Sequence, residues 1–410
     1  MTLYEIKKAV LCRSGKLTLL VFACVIAVSC WLATLSVEWI NEKGEWESGA
    51  QAARKLRTAR QEWKGYLDEE ALEKAIGELN RISAMPEYTS EDYEDRSRIR
   101  FYLQGIAPIR QMFILSYAPG YQEINEMLVD KLTPADAPSF YGNRTRLLKE
   151  SLYQEDSALS RKFSERQKQF LIAQYETQQT PFYYDYMAGW QELLQNANVP
   201  ILCMALVLSF LVAGIFANEF RWKADAVYFS SCFGRNKATE AKILACFLLV
   251  SVLYWLGILL YTLVTLCQLG FDGGNCPIQL SFWKSIYHLT YQQAYLLTVA
   301  AGYVGNLFVA FAAMWLSAKT RSSVVAVSVP FCILMLPAML KGTTIAWLND
   351  VIDLLPDQLM QFGMVLQTVN NYDLGFAVVG RAPLLIAAYA VCTAALVPML
   401  YRQYRRKSWC

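Results

Sequence analysis

The residues that could carry chemistry are few, and their spacing excludes most of it. The chain of 410 residues has a single histidine, His288. A zincin site needs two histidines one helical turn apart, so none can form. The nearest approach to a phosphate-binding loop is Arg13-Ser14-Gly15-Lys16-Leu17, which lacks both the first glycine and the hydroxyl residue. ATP is therefore not held by such a loop in this chain. No G-x-S-x-G nucleophile elbow is present either. Cys24, Cys30, Cys203, Cys246, Cys332 and Cys392 sit in apolar runs, where a thiol acts as a small hydrophobe. Cys267 and Cys276 lie near one loop, as a disulfide or as two free thiols. His288 stands between Tyr287 and Tyr291 and reads as an interfacial residue.

The elements that must position any site are membrane helices. Hydrophobic residues make up 55% and charged residues 18% of the chain, against about 45–50% and about 25% in soluble domains. A spanning helix needs about 20 mainly apolar residues. Six runs qualify: Leu17–Val37, Val199–Ala217, Ile243–Leu269, Ala294–Leu316, Val324–Leu340 and Pro383–Tyr401. The first reads as a retained anchor, because its apolar core is longer than that of a signal peptide and Trp31 near its end, then Glu38 and Trp39, stand in place of a small-residue cleavage site. The net charge of +3 is too small to argue for nucleic acid.

Orientation follows from basic residues at the helix ends. Lys7, Lys8, Arg13 and Lys16 precede the first run; Arg221, Lys223, Arg235, Lys237 and Lys242 separate the second and third. Lys319 and Arg321 follow the fourth, and Arg402, Arg405, Arg406 and Lys407 the sixth. The opposite short loops, 270–293 and 341–382, offer only Lys284, Lys341 and Arg381. The expectation is a multi-pass membrane protein with residues 1–16, 218–242 and 402–410 cytoplasmic and residues 38–198 outside.

Residues 38–198 read as a helical domain. Gln51–Ile82 is rich in helix formers, and Asp68-Glu69-Glu70 favours a helix start. Ile99–Tyr117 is apolar-periodic, Thr133–Ser139 is a turn, and Arg144–Thr177 is one long charged helix. No strand alternation competes. Its tyrosines (Tyr88, Tyr93, Tyr102, Tyr117, Tyr121, Tyr183, Tyr184, Tyr186) suit a packed core, a lid or a substrate-facing surface. Between Lys341 and Arg381, broken apolar patches fit interfacial helices or a re-entrant hairpin. The third to sixth runs hold no charge, so a proton relay has no residues there. Gln293 at the head of the fourth run, and Thr298, Tyr303 and Asn306 within it, stand beside a small pair, Ala301 and Gly305. Close helix packing and a polar pathway lining facing the same run of a second subunit both fit this pattern.

The most informative stretch is Asn218–Lys242. Glu219 and Arg221 stand at the membrane edge. A short amphipathic segment, Ala224–Ser231, then presents Ala226, Val227 and Phe229. Gly234-Arg235 breaks it, and Thr239–Lys242 opens the next helix. A short amphipathic helix across such a loop is a lever that another protein can push.

In this arrangement the chain resembles the permease subunits of ABC-2 type ATP-driven transporters, especially the six-helix half-size permeases of Gram-positive bacteria. The match runs through Glu219, the Ala224–Ser231 segment, Gly234-Arg235 and Lys242. Where the family often has Pro-Val-Ser before the arginine, this chain has Cys232-Phe233-Gly234. Pro181–Tyr186 with Gly189-Trp190, Leu354-Leu355-Pro356 and Tyr372-Asp373-Leu374-Gly375 extend the likeness. The resemblance implies an all-α fold in the bacterial cell membrane, with a helical insert between the first two helices. It implies an ABC ATPase on a separate chain, which binds ATP and Mg²⁺, so that this chain binds no cofactor and is no enzyme itself. It implies a second permease, as a homo- or heterodimer, within membrane lipid, and a hydrophobic or amphipathic cargo or peptide moved outward. The ATPase would meet the cytoplasmic loop and the N-terminus, where Leu3, Ile6, Val10 and Leu11 oppose Lys7 and Lys8. The alternative is a membrane sensor whose outer domain binds a ligand and signals through a partner.

Overall fold

The computed structural model describes residues 1–155, 157–221, 237–320, 322–340 and 346–405. It is mostly helical, with a bundle of apolar helices capped at one end by a smaller helical domain. Among the described residues, five helices are long and apolar enough to cross a membrane. They are α2 (Arg13–Leu35), α11 (Asn198–Arg221), α12 (Lys237–Leu269), α13 (Tyr291–Thr320) and α18 (Arg381–Arg405). A sixth, α14 (Ser323–Leu340), is shorter and carries Pro330 and Pro337. An amphipathic N-terminal helix, α1 (Thr2–Leu11), precedes them. Tyr401 near the chain's end reaches Glu240 of α12, and Lys242 of the same helix end reaches Glu5 of α1. The N-terminal helix and the described end of α18 therefore lie at one end of the bundle, opposite the cap.

The centre of the bundle is α13, which packs against α11, α12, α14 and α18. Its small residues make this possible. A Cβ at Gly302 would fall 2.7 Å from the Tyr254 hydroxyl and 2.8 Å from Ile201 Cγ2. The Tyr254 hydroxyl donates instead to the Val299 carbonyl at 2.7 Å, tying α12 to α13. Ala301 is fully buried, and a Cβ at Gly305 would meet Met360 Cε at 2.8 Å. The small pair thus admits close neighbours, as small residues do in lipid. One neighbour is a broken segment, α16 (Asp357–Met360) and α17 (Phe362–Val365), which follows α15 (Ala346–Ile352). Leu359, Met360 and Phe362 are wholly buried. The segment turns into the bundle to reach the middle of α13.

The cap spans α3 (Ala50–Gln61), α4 (Glu69–Ser83), α5 (Tyr93–Leu103), α6 (Ala107–Ser116), α7 (Phe140–Tyr153), α8 (Ala158–Lys162), α9 (Glu165–Glu176) and α10 (Ala188–Asn196). Asp68 does start a helix, its side chain accepting from the Ala71 amide at 3.0 Å. Two expectations need correction. The single helix from Arg144 to Thr177 is three, because Ser157 and Ser164 each cap a new start, the second with Gln167 in a capping box. The absence of strands is also wrong in detail. β1 (Glu38–Ile40) pairs with β2 (Trp46–Ser48), and β3 (Gly65–Tyr66) with β4 (Tyr183–Tyr184), so the Gln51–Ile82 stretch is broken in two. A third pair, β5 (Asn371–Asp373) and β6 (Val378–Gly380), precedes α18. Cys267 and Cys276 are free thiols.

One apolar cluster runs from the cap into the bundle's connections. It joins Ile76, Phe113, Phe140 and Tyr184 of the cap to Ile278 and Trp283 of the α12–α13 connection and to Phe362 of α17. Some of the cap's tyrosines serve this packing: Tyr184 is buried in it, with Tyr117 and Tyr183 packed against it, while Tyr186 is buried in a separate cluster and Tyr93 and Tyr102 are exposed. At the seam lies Arg144, 4% exposed. Its Nε donates to the Trp283 carbonyl at 2.8 Å and its Nη2 to the Ser285 carbonyl at 2.7 Å. The guanidinium lies 3.9 Å from the centre of the Tyr175 ring. Tyr175 in turn donates to the Lys284 carbonyl at 2.8 Å, and Ser285 Oγ donates to the Leu366 carbonyl at 2.7 Å. Burial lowers the Arg144 pKa and the neighbouring tyrosines oppose that fall, so carbonyls and ring faces stand in for a carboxylate. His288 adds a contact of 2.7 Å to the Gln174 carbonyl beside it. Replacing Arg144 by Met should leave two buried carbonyls unpaired and cost about 2–4 kcal/mol of local stability. Hydrogen exchange should then rise across residues 281–287 while the bundle helices stay protected; unchanged exchange there would show that the cap is held by its apolar contacts alone.

Candidate functional site

The end of the bundle that carries α1 holds a built junction. The chain doubles back between α1 and α2 at Cys12, whose extended backbone breaks the helix and whose Sγ accepts from the Gly15 amide at 3.3 Å. A Cβ at Gly15 would lie only 1.9 Å from the Ala9 carbonyl, so glycine is what lets α1 fold against the start of α2. α1 then presents Ile6, Ala9 and Val10 to the bundle core. Its faces differ from the expected split. Leu3 and Leu11 point outward, exposed like Lys7, while Glu5 is buried. A helix with apolar side chains beside a lysine on its free face suits a membrane interface.

Glu5 faces inward because Lys242 is there. Lys242, in the first turns of α12, has no exposed surface. Its Nζ donates to Glu5 Oε2 at 3.3 Å and to the Ile215 carbonyl of α11 at 2.9 Å. One buried ammonium thus joins three helices. Such a pair adds little net stability, because desolvation offsets the attraction, yet losing one partner strands a buried charge. Next to it, Ser317 Oγ of α13 donates to the Ala213 carbonyl of α11 at 2.6 Å. A cavity of about 120 Å³ adjoins the junction, lined by Glu5, Ser14, Thr18 and Gly214.

The predicted coupling residues fall around this junction unevenly. Lys242 is its centre. Glu219 and Arg221 continue the helical backbone of α11. Ala226, Val227, Phe229, Gly234 and Arg235 lie outside the described residues. Glu5 was not legible as a member, since its contact with Lys242 spans 237 positions of sequence.

The four polar residues of α13 do not converge on one space within this subunit. Gln293 caps the helix, its Oε1 accepting from the Thr290 amide at 3.1 Å. Thr298 is buried and donates to the Ala294 carbonyl of its own helix at 2.8 Å. Tyr303 shares a 2.7 Å hydrogen bond with Ser251 of α12 and packs at a tilt against the Trp255 ring. Asn306 is buried, its Nδ2 donating to the Gly302 carbonyl at 2.9 Å. The larger opening is elsewhere. An apolar cavity of about 760 Å³ opens sideways between α12, α13 and α18, lined by Phe247, Leu307, Phe311, Thr393 and Val397 among others. Among the described residues, no group of His, Cys, Asp or Glu side chains is placed to hold a metal ion.

The junction makes a measurable claim. Lys242→Met should cost about 3–5 kcal/mol by stranding Glu5. Glu5→Leu combined with Lys242→Met should cost less than Lys242→Met alone in a double-mutant cycle of thermal stability. Strict additivity would show that the two side chains do not interact.

Comparison with protein-family models, with curated proteins and with solved structures returned no match, so the geometry and the sequence pattern alone bear on function.

Proposed function

We propose that this chain is the permease subunit of an ATP-driven exporter of the ABC-2 type, with six spans, the cap outside the cell and both termini in the cytoplasm. ATP and Mg²⁺ belong to a separate ATPase chain, and a second permease completes the pathway. One observation carries this reading: the buried Lys242 bonds to Glu5 of α1 and to the Ile215 carbonyl of α11. The described helix ends on either side of the segment that connects α11 to α12 are therefore tied to each other and to α1. A force on that segment passes to both helices instead of being absorbed at a loose end. The free apolar and basic face of α1 lies beside the same anchor.

On this reading, closure of an ATPase pair presses on Ala226, Val227 and Phe229, and Arg235 sits at the contact. The bundle then rocks between two states, as packed helices do when a small shift is amplified at an interface. The sideways cavity, about 760 Å³ and almost wholly apolar, is of the size that takes a small hydrophobic or amphipathic molecule. The cargo therefore enters from lipid rather than from water.

Two measurements test the proposal. Arg235→Glu should abolish cargo-dependent stimulation of the partner ATPase while leaving thermal stability unchanged; full stimulation would remove that segment from the mechanism. A cysteine placed at Glu155, an exposed position of the cap, should react with an impermeant maleimide on intact cells. Protection there, with labelling after lysis, would invert the orientation.

A further inference from the structure

A second cavity, of about 190 Å³, lies at the capped end of the bundle where α2, α10, α11 and α12 meet. Glu192 of α10 lines it and is only 8% exposed. Its Oε2 accepts from Asn196 Nδ2 at 2.9 Å, and the Ser36 hydroxyl lies close enough to support its charged form. No Lys, Arg or His lines the cavity among the described residues, and Tyr261 is the only other titratable group facing it. A carboxylate buried without a countercharge is costly. Burial accordingly raises the Glu192 carboxyl above its usual range, against the opposing hydrogen bonds of Ser36 and Asn196. A cation entering the cavity would relieve that cost.

The mouth of the cavity is apolar. Leu32 of α2 is 51% exposed and Val199 of α11 is 47% exposed, both on helices long and apolar enough to cross a membrane. The cavity thus combines an anionic floor, hydroxyl oxygens and an apolar rim that faces sideways. A water occupies about 30 Å³ of liquid, so the space takes a small headgroup but not a whole lipid. The acyl chains would have to leave along Leu32 and Val199.

We propose that this cavity binds the primary ammonium headgroup of a phosphatidylethanolamine-type lipid, with Glu192 as its countercharge. A primary ammonium carries three N–H donors, and Glu192, Ser36 and Tyr261 offer three oxygen-bearing partners. A trimethylammonium headgroup has no such donor and is bulkier. The inference requires only that the bundle spans a membrane, and is independent of whether the chain transports anything.

The test uses the full chain in detergent micelles. Its melting temperature is followed against short-chain phosphatidylethanolamine, the matching phosphatidylcholine, and free ethanolamine. Near neutral pH, phosphatidylethanolamine should reach its half-effect at a concentration about tenfold lower than phosphatidylcholine, and free ethanolamine should do little. Glu192→Gln keeps the acceptor for Asn196 and should erase the difference between the two lipids. The unaltered chain supplies a second arm: at a pH below the raised carboxyl value the advantage should shrink, because the protonated acid no longer draws a cation. Equal effects of the two lipids would overturn the proposal. So would an advantage that survives Glu192→Gln or acid, or an equal effect of free ethanolamine, which would mark a site for soluble amines.

Discussion

A charge that leaves water has to be met inside the protein, and in this chain that constraint fixes how the parts are joined. Each buried ion costs several kcal/mol before its partners are counted. Arg144 meets two carbonyls and an aromatic face at the seam between cap and bundle. Lys242 meets Glu5 and a helix carbonyl at the opposite end. Arg381, 3% exposed at the start of α18, meets Asp353 at 3.0 Å and donates to Gln358 at 2.6 Å. Arg144 and Lys242 bridge elements 139 and 237 positions apart in sequence, and Arg381 ties the start of α18 to the segment before it. Apolar packing could slide by a fraction of a turn at small cost, whereas these joints have one satisfactory geometry. That is why the cap, the broken segment before α18 and the N-terminal helix each sit in a defined place.

The same logic divides the molecule into a stiff end and a responsive end. At the capped end, the connections between helices are buried beneath the cap in one continuous apolar cluster. At the other end, three helices converge on a single ammonium, and the sideways cavity opens toward Glu240 and Tyr401. On the transporter reading, the force arrives where the structure concentrates its coupling into one joint. The cap then acts as a fixed roof over helices that move beneath it.

The bundle was legible because lipid demands about 20 apolar residues per span, a signal that survives without knowledge of packing. α2, α12 and α13 all follow it, while α14, with two internal prolines, sits at the margin of length. The cap was legible as helical, but its breaks were not. Strands of two or three residues are too short to show a period. The signal for the second break was present in Ser164 and Gln167, and was outweighed by the run of charged helix formers around it. Lys242 stood out through its place at the head of an apolar run, yet its acidic partner did not, since no local spacing relates them. Glu192 was invisible for the opposite reason: a carboxyl in a short helix reads as a solvated face, and only the packing of α2 and Tyr261 against it shows otherwise.

The most direct test of the transporter reading is affinity capture of the full chain from native membranes under gentle extraction, with the co-purified proteins identified and quantified by mass spectrometry. The account predicts an ATPase with a phosphate-binding loop in near-equal amount, and its loss when Arg235 is changed to Glu. Capture of a signalling kinase in that amount, or of no ATPase at all, would contradict it and make the cap a ligand-sensing domain.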